Sequence, residues 1–276
     1  MPGDANWDRR TLLGAIGVAG ASLSALYGGG APAQANPVED GVTSVRFGKH
    51  ALNVVDLTHR LTREFNFDPA HPRIALEEVD GSGVKVGMKM HQIALIEHTG
   101  THIDAPSHFG KELRSLGEIP LADLVVPLAV IDIADKASLS RNAQLEPADI
   151  LAWEKRHGPL PKGCCVAMHS GWNPIAEMAR NRSEGAHAST GFSPAAARML
   201  MESRSVKGIA VDAMTIDAGP NVPAYPVHQA WLRSGRWGIE GMTNLKAVPA
   251  EGALLVVGAA PVADATGFPV RAIAMF

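Results

Sequence analysis

Cysteine is nearly missing from this chain: there are 2 among 276 residues, side by side at Cys164 and Cys165. Neighbouring cysteines cannot close a useful loop, so no disulfide framework holds the fold. Their setting, "GCCVAMH", reads as a buried strand in which both act as small apolar residues. Charge is also sparse. Charged residues make up 19% of the sequence and the formal net charge is −3. No basic stripe exists that could neutralise a phosphate backbone, which argues against nucleic acid as a partner and for a small-molecule substrate. The chain has no internal repeat, and no low-complexity segment follows its first 35 residues.

Those 35 residues stand apart from the rest. They contain the pair Arg9-Arg10, then Leu12 and Leu13, an uncharged run into glycines, and a small-x-small site at Ala33-Gln34-Ala35. This is the layout of an export leader, and the twin arginines point to the Tat route, with residues 36–276 as the mature domain. Trp7-Asp8 before the arginines and the lack of a lysine after the leucines depart from the usual pattern. The alternatives are an uncleaved anchor or a disordered tail, since the run approaches the length of a spanning helix but is rich in Gly and Ala. With the leader removed, no stable membrane insertion is expected. The remainder has the length of one α/β domain.

Short apolar, β-branched runs bounded by Gly, Pro, Asp or Ser predict largely buried strands at 52–58, 128–133, 164–169, 208–212 and 253–260. Strict alternation in "VKVGMKM" (84–90) predicts a strand with one polar side. Helices are predicted at 147–157, from Pro194 with Ser193 as N-cap, and at 227–235, ended by Gly235. Many strands with a few interspersed helices imply an α/β domain with a mixed sheet.

The stretch "HTGTHIDAPSHF" (98–109) carries the chemistry. His98, His102, Asp104 and His108 are all even-numbered, so in an extended chain they share one face. A continuous helix fails, because Asp104 would lie well around the cylinder and Pro106 would break it. Full extension fails too, since ten steps spread the end histidines about 33 Å apart. Bends at Gly100 and Pro106 let the four groups converge, as metal coordination at roughly 2.0–2.2 Å requires. Packing alone accounts for a lone histidine; four ionisable groups on one face would compete for partners without a metal. Downstream, "PVHQAWLRSGRWGIEGMTNL" offers His228 and Glu240, which a helix and a returning chain could bring together.

These two stretches, with "DLTHRL", "HSGW" (169–172) and "GIAVDAMTID" (208–217), resemble the metal-dependent cyclase family that includes bacterial kynurenine formamidase and isatin hydrolase. The resemblance runs from about Val54 to the C-terminus. It implies a swivelling β/β/α-type mixed-sheet domain, usually a homodimer. It implies that His98, His102 and Asp104 hold one metal, that Asp104 and Glu240 bridge to a second completed by His228, and that His108 is the acid/base. Zinc or manganese is implied, two per chain; a donor set without thiolate suits either. The substrate so implied is a small-molecule amide or lactam, cleaved at its C–N bond by metal-activated water. Where the formamidase branch has a Trp and a Trp-Pro-Gly-like turn, this chain has Phe65 and Phe67, so an aromatic but different pocket is expected. His169, Trp172 and Tyr225 are further substrate candidates, with packing as the other reading for each. The rival functions are hydrolysis of lactones or other cyclic esters, and non-catalytic metal or ligand binding in the periplasm.

Overall fold

The structure, a computed structural model, describes residues 41–47, 50–63, 72–79, 89–184 and 187–276. The leader, Phe65, Phe67 and residues 84–88 of the alternating segment lie outside them. In chain order the strands are β1 (Val42–Phe47), β2 (His50–Asp56), β3 (Ala75–Val79), β4 (Met90–Ala94), β5 (His102–Asp104), β6 (Val125–Asp132), β7 (Gln144–Leu145), β8 (Cys165–His169), β9 (Gly191–Phe192), β10 (Gly208–Val211), β11 (Trp237–Glu240), β12 (Ala253–Ala259) and β13 (Gly267–Met275). The helices are α1 (Ala134–Leu139), α2 (Pro147–His157), α3 (Pro174–Glu184), α4 (Pro194–Ser203) and α5 (Pro226–Arg233).

The main sheet runs β1-β2-β13-β12-β6-β8-β10-β11-β5, and β5 pairs again with β13. The strands from β13 round to β5 therefore close on themselves, with β1 and β2 as an outer extension. β6, β8, β10 and β11 are parallel, and β5, β12 and β13 join antiparallel. This is the mixed α/β sheet expected from the sequence.

Strand parity divides the core in two. Val126, Leu128, Val130, Cys165, Ala167, Ala210, Trp237 and Ile239 pack within one cluster, while Ala129, Ile131, Cys164, Val166, Met168, Ile209 and Val211 pack with residues of α2, α4 and α5 in the other. Strands buried on both faces read as continuous apolar runs, which is why β6, β8 and β10 were legible in the sequence. The two cysteines, being neighbours in sequence, sit on opposite sides of the sheet. Burial pushes the Cys164 thiol up to about 12 and the Cys165 thiol well above its ordinary value. Thiolate is the reactive form, so iodoacetamide at pH 8 is expected to label neither cysteine in native protein and both after denaturation, read by mass spectrometry. Labelling of the native chain would place a thiol at the surface.

Helix punctuation follows the sequence. α2 begins at Pro147 behind a reciprocal cap in which the Glu146 N–H donates to Asp149 Oδ2 at 2.7 Å, and it ends at Gly158 with φ 88. The Ser193 hydroxyl oxygen accepts the Ala196 N–H at 3.1 Å to start α4. One expectation is corrected. β2 is not largely buried: of its residues 51–56 only Val55 is buried, because this strand lies outside the closed part of the sheet and packs on one face.

Candidate metal centre

The bends anticipated at Gly100 and Pro106 are both present. Gly100 has φ 68, a left-handed conformation that a side chain rarely adopts, and Pro106–His108 forms one turn of 3-10 helix. Thr99 and Thr101 fix the turn between the histidines. The Thr99 hydroxyl donates to the Ile96 carbonyl at 2.7 Å, and the Thr101 hydroxyl donates to that of Gly241 at 2.5 Å. Between these bends lies the short strand β5. Ile103 points into the inner core, so His102 and Asp104 take the opposite face. On β11 the same parity buries Trp237 and Ile239 inside and turns Glu240 outward, and the register sets Glu240 opposite His102. α5 covers this face and brings His228 over it, as the sequence spacing between Gly235 and Glu240 suggested.

Asp104 lies at the centre. Its Oδ1 is 2.7 Å from His98 Nδ1 and 3.3 Å from His102 Nε2, and its Oδ2 is 3.5 Å from His228 Nε2. Glu240 spans the other side, with Oε1 3.1 Å from His228 Nε2 and Oε2 3.4 Å from His102 Nε2. The His108 ring stacks at 3.9 Å from that of His98 and lies 6.1 Å from that of His228. Arg233 donates to the Phe109 carbonyl at 3.0 Å and Arg114 to that of Gly235 at 2.9 Å, tying the His108 turn to α5.

Second-layer groups set the ring orientations. The Gly100 carbonyl, 2.9 Å from His102 Nδ1, can only accept, so that nitrogen carries a proton and Nε2 is the one turned toward the carboxylates, where it can offer a lone pair to a cation. Asp217 does the same for His228 at 2.7 Å, and its carboxylate also accepts the N–H groups of Val227 and His228, both at 3.0 Å, capping α5. Glu240 is held by the Ile216 N–H at 2.8 Å. Asp217 was quoted within "GIAVDAMTID" but not recognised as a site residue. An isolated aspartate eleven positions before a histidine gives no periodic signal, and only the folded loop reveals the pairing.

Both carboxylates are buried, which by itself opposes ionisation. The His102, His228 and His98 imidazoles beside it nevertheless hold Asp104 well below the usual carboxylate range. Burial and the Asp104 charge likewise disfavour ionised Glu240, yet the His102 and His228 imidazoles beside it hold it at about 2. Burial disfavours a charged His102, but the Asp104 and Glu240 carboxylates beside it raise it to about 10, and His228 is raised well above its ordinary value against the same penalty. Two buried carboxylates thus demand positive charge beside them. A divalent cation meets that demand, and the donors fit one: buried His102 Nε2 and Asp104 Oδ2 have no hydrogen-bond partner, and all donors are imidazole or carboxylate. Among the described residues, His98, Asp104 and His108 form one group of donor atoms within 4.8 Å of one another, and His102, Asp104 and Glu240 form another. Asp104 belongs to both.

Three further candidates, His169, Trp172 and Tyr225, fall among the described residues. His169 closes β8 and faces Asp132 Oδ2 on β6 at 3.2 Å. The loop after it is held by Asp212, which accepts from the Ser170 hydroxyl at 2.6 Å and from the Gly171 N–H at 2.8 Å. Trp172, next on that loop, is half-buried against the outer core. Tyr225 stands at the start of α5 with φ 48, its ring 5.4 Å from His228 and 6.1 Å from Phe109, so it borders the cluster.

A buried imidazole–carboxylate cluster on a closed mixed sheet, built for a divalent cation, is what fold and site define. Residues 55–218 match the family model described as "Putative cyclase", and the chain belongs to that family. The matched span contains the 98–108 cluster and Asp217 but ends before His228 and Glu240. Among curated proteins, the chain is 32% identical over 193 residues to the isatin hydrolase of Roseibium aggregatum, covering 66% of this chain and 73% of that one. It is 31% identical over 101 residues to the kynurenine formamidase of Bacillus cereus, covering 35% and 44%. Among solved structures, isatin hydrolase A from Labrenzia aggregata bound to benzyl benzoate superposes with a TM-score of 0.74 at 33% identity, covering 81% of this chain and 93% of that one.

Proposed function

We propose that this protein hydrolyses the C–N bond of a small cyclic amide or aryl-formamide with the help of a divalent metal, isatin-like lactams being the first class to test. The observation that carries the reading is the convergence of His98, His102, Asp104, His228 and Glu240 around two unpartnered buried donor atoms, with His108 stacked beside them. The similarity to isatin hydrolase supports a lactam over a formamide, because it covers about twice as much of this chain as the similarity to kynurenine formamidase.

His98, His102 and Asp104 would hold one ion; Asp104 and Glu240 would share a second with His228. A divalent metal so held lowers the pKa of water toward about 7 and polarises a carbonyl oxygen. The chain itself supplies the proton handling. Burial lowers the pKa of His108 below its ordinary value, so its ring is neutral at pH 7 and able to take a proton from the attacking water. The same ring returns that proton to the leaving nitrogen. Tyr225 and Phe109, at the edge of the cluster, offer flat apolar walls to an aromatic substrate.

Metal analysis of protein beginning at Asn36, with isatin and N-formylkynurenine assayed with and without zinc or manganese, tests the reading. Bound divalent metal with metal-dependent loss of isatin is the expected result. Bound metal with turnover of lactones alone would move the substrate to cyclic esters, and a chain that takes up no metal would overturn the proposal. A homodimer and Tat export belong to the same proposal; light scattering and cell fractionation test them.

A further inference from the structure

The three histidines facing Asp104 are not oriented alike. His102 and His228 each give Nδ1–H to an acceptor, the Gly100 carbonyl and Asp217, and turn Nε2 inward. His98 is reversed. Its Nδ1 faces Asp104 Oδ1 at 2.7 Å, and its Nε2 lies 3.1 Å from the Thr266 hydroxyl. That hydroxyl lies 2.5 Å from Glu97 Oε2, which also accepts the Thr266 N–H at 3.1 Å. A carboxylate can only accept, and a hydroxyl has one proton to give. Thr266 therefore donates to Glu97 and accepts from His98, so Nε2 carries a proton, and in the neutral ring Nδ1 is the nitrogen with the lone pair. Nδ1 and Asp104 Oδ1, 2.7 Å apart, share a positive charge between them, a ring proton in the cation-free protein and the metal ion when the two act as ligands of one cation. The adjoining residue keeps room for this arrangement: a Cβ on Gly267 would sit 2.5 Å from His98 Cε1 and 2.6 Å from the Ile103 carbonyl oxygen.

We infer that Glu97 and Thr266 form a positioning relay that locks His98 in its Nε2–H form, so that the metal centre meets Nδ1 of His98 but Nε2 of His102 and His228. The inference rests on the metal-centre reading above. Neither residue touches substrate or metal; each acts through His98. Outer-shell partners of this kind fix the tautomer and the aim of a ligating imidazole.

The test uses the zinc-loaded full chain with 15N-labelled histidine. Long-range proton–nitrogen correlations should show the His98 ring protonated at Nε2, with no proton at Nδ1; a proton at Nδ1 would overturn the inference without any variant. Competition against a chelator gives the second readout. Thr266→Val is expected to weaken zinc affinity about 10–100-fold, whereas Thr266→Ser, which keeps the hydroxyl, should bind as the wild type does. Glu97→Gln should weaken it in the same direction, because an amide can donate to Thr266 and release the relay. Wild-type affinity in Thr266→Val would overturn the relay alone. A wild type that takes up no zinc overturns the underlying reading and the relay with it.

Discussion

His108→Ala is expected to lower kcat by about 10²–10⁴-fold, the range assigned to a positioned acid or base, while metal content stays at the wild-type level. His108 stacks on His98 at 3.9 Å, but its ring is only partly buried, and burial lowers its pKa rather than raising it. His102 and His228 show the opposite: the carboxylates raise both. The ring beside the cluster is thus kept neutral while the rings within it attract positive charge, a division suited to proton transfer by one and coordination by the others. The result is not a foregone one, since His98, Asp104 and His108 also form a donor group within 4.8 Å. If the variant loses turnover and metal together, His108 is a ligand and the acid/base must be sought elsewhere. Fold stability should change little, because His108 ends a single 3-10 turn.

Asp217→Ala should cost more than any other single truncation in the site. This carboxylate is fully buried and has three partners: two N–H groups in the first turn of α5 and the His228 ring. Its loss leaves three buried donors unsatisfied, at about 1–3 kcal/mol each, and the low end of that sum, about 3–4 kcal/mol, is expected because a single substitution rarely costs more. For a domain of this size that lowers Tm by roughly 6–15 °C, read by calorimetry. Metal affinity should fall about 10–100-fold as His228 loses its fixed orientation. Asp217→Asn separates the two effects. Its carbonyl can still cap the helix, which restores much of the stability, but one oxygen cannot serve two backbone donors and the ring equally well. A Tm for Asp217→Ala close to the wild type would mean that α5 does not depend on this cap.

Much of this site was legible in the sequence because its geometry is local. The even spacing of His98, His102 and Asp104, the bends at Gly100 and Pro106, and the helix that places His228 above Glu240 all follow from short-range periodicity. The parallel strands β6, β8 and β10 were equally plain, since burial on both faces leaves unbroken apolar runs, whereas β11 is four residues that end on Glu240. β13 was not, because Pro269 and Arg271 interrupt its pattern, and β5 is only three residues long. The groups behind the ligands were hidden for another reason. Thr266 lies 168 residues from His98, and Gly100 serves His102 through its carbonyl, which carries no side-chain signature. His169 and Trp172 lie on β8 and the loop that follows it, and their closest described partners are Asp132 and the outer core.

The closure of the sheet through β5 governs how the site can move. This strand is hydrogen-bonded to β11 on one side and β13 on the other, so freeing it breaks two ladders and opens the ring. A local opening that frees β5 itself therefore has to break both ladders together. Their backbone amides should accordingly rank with the slowest in hydrogen–deuterium exchange, with protection tracking the global unfolding free energy. A cation that binds there stabilises the whole domain by mass action rather than tightening one loop. Assembling the site and completing the fold are the same event.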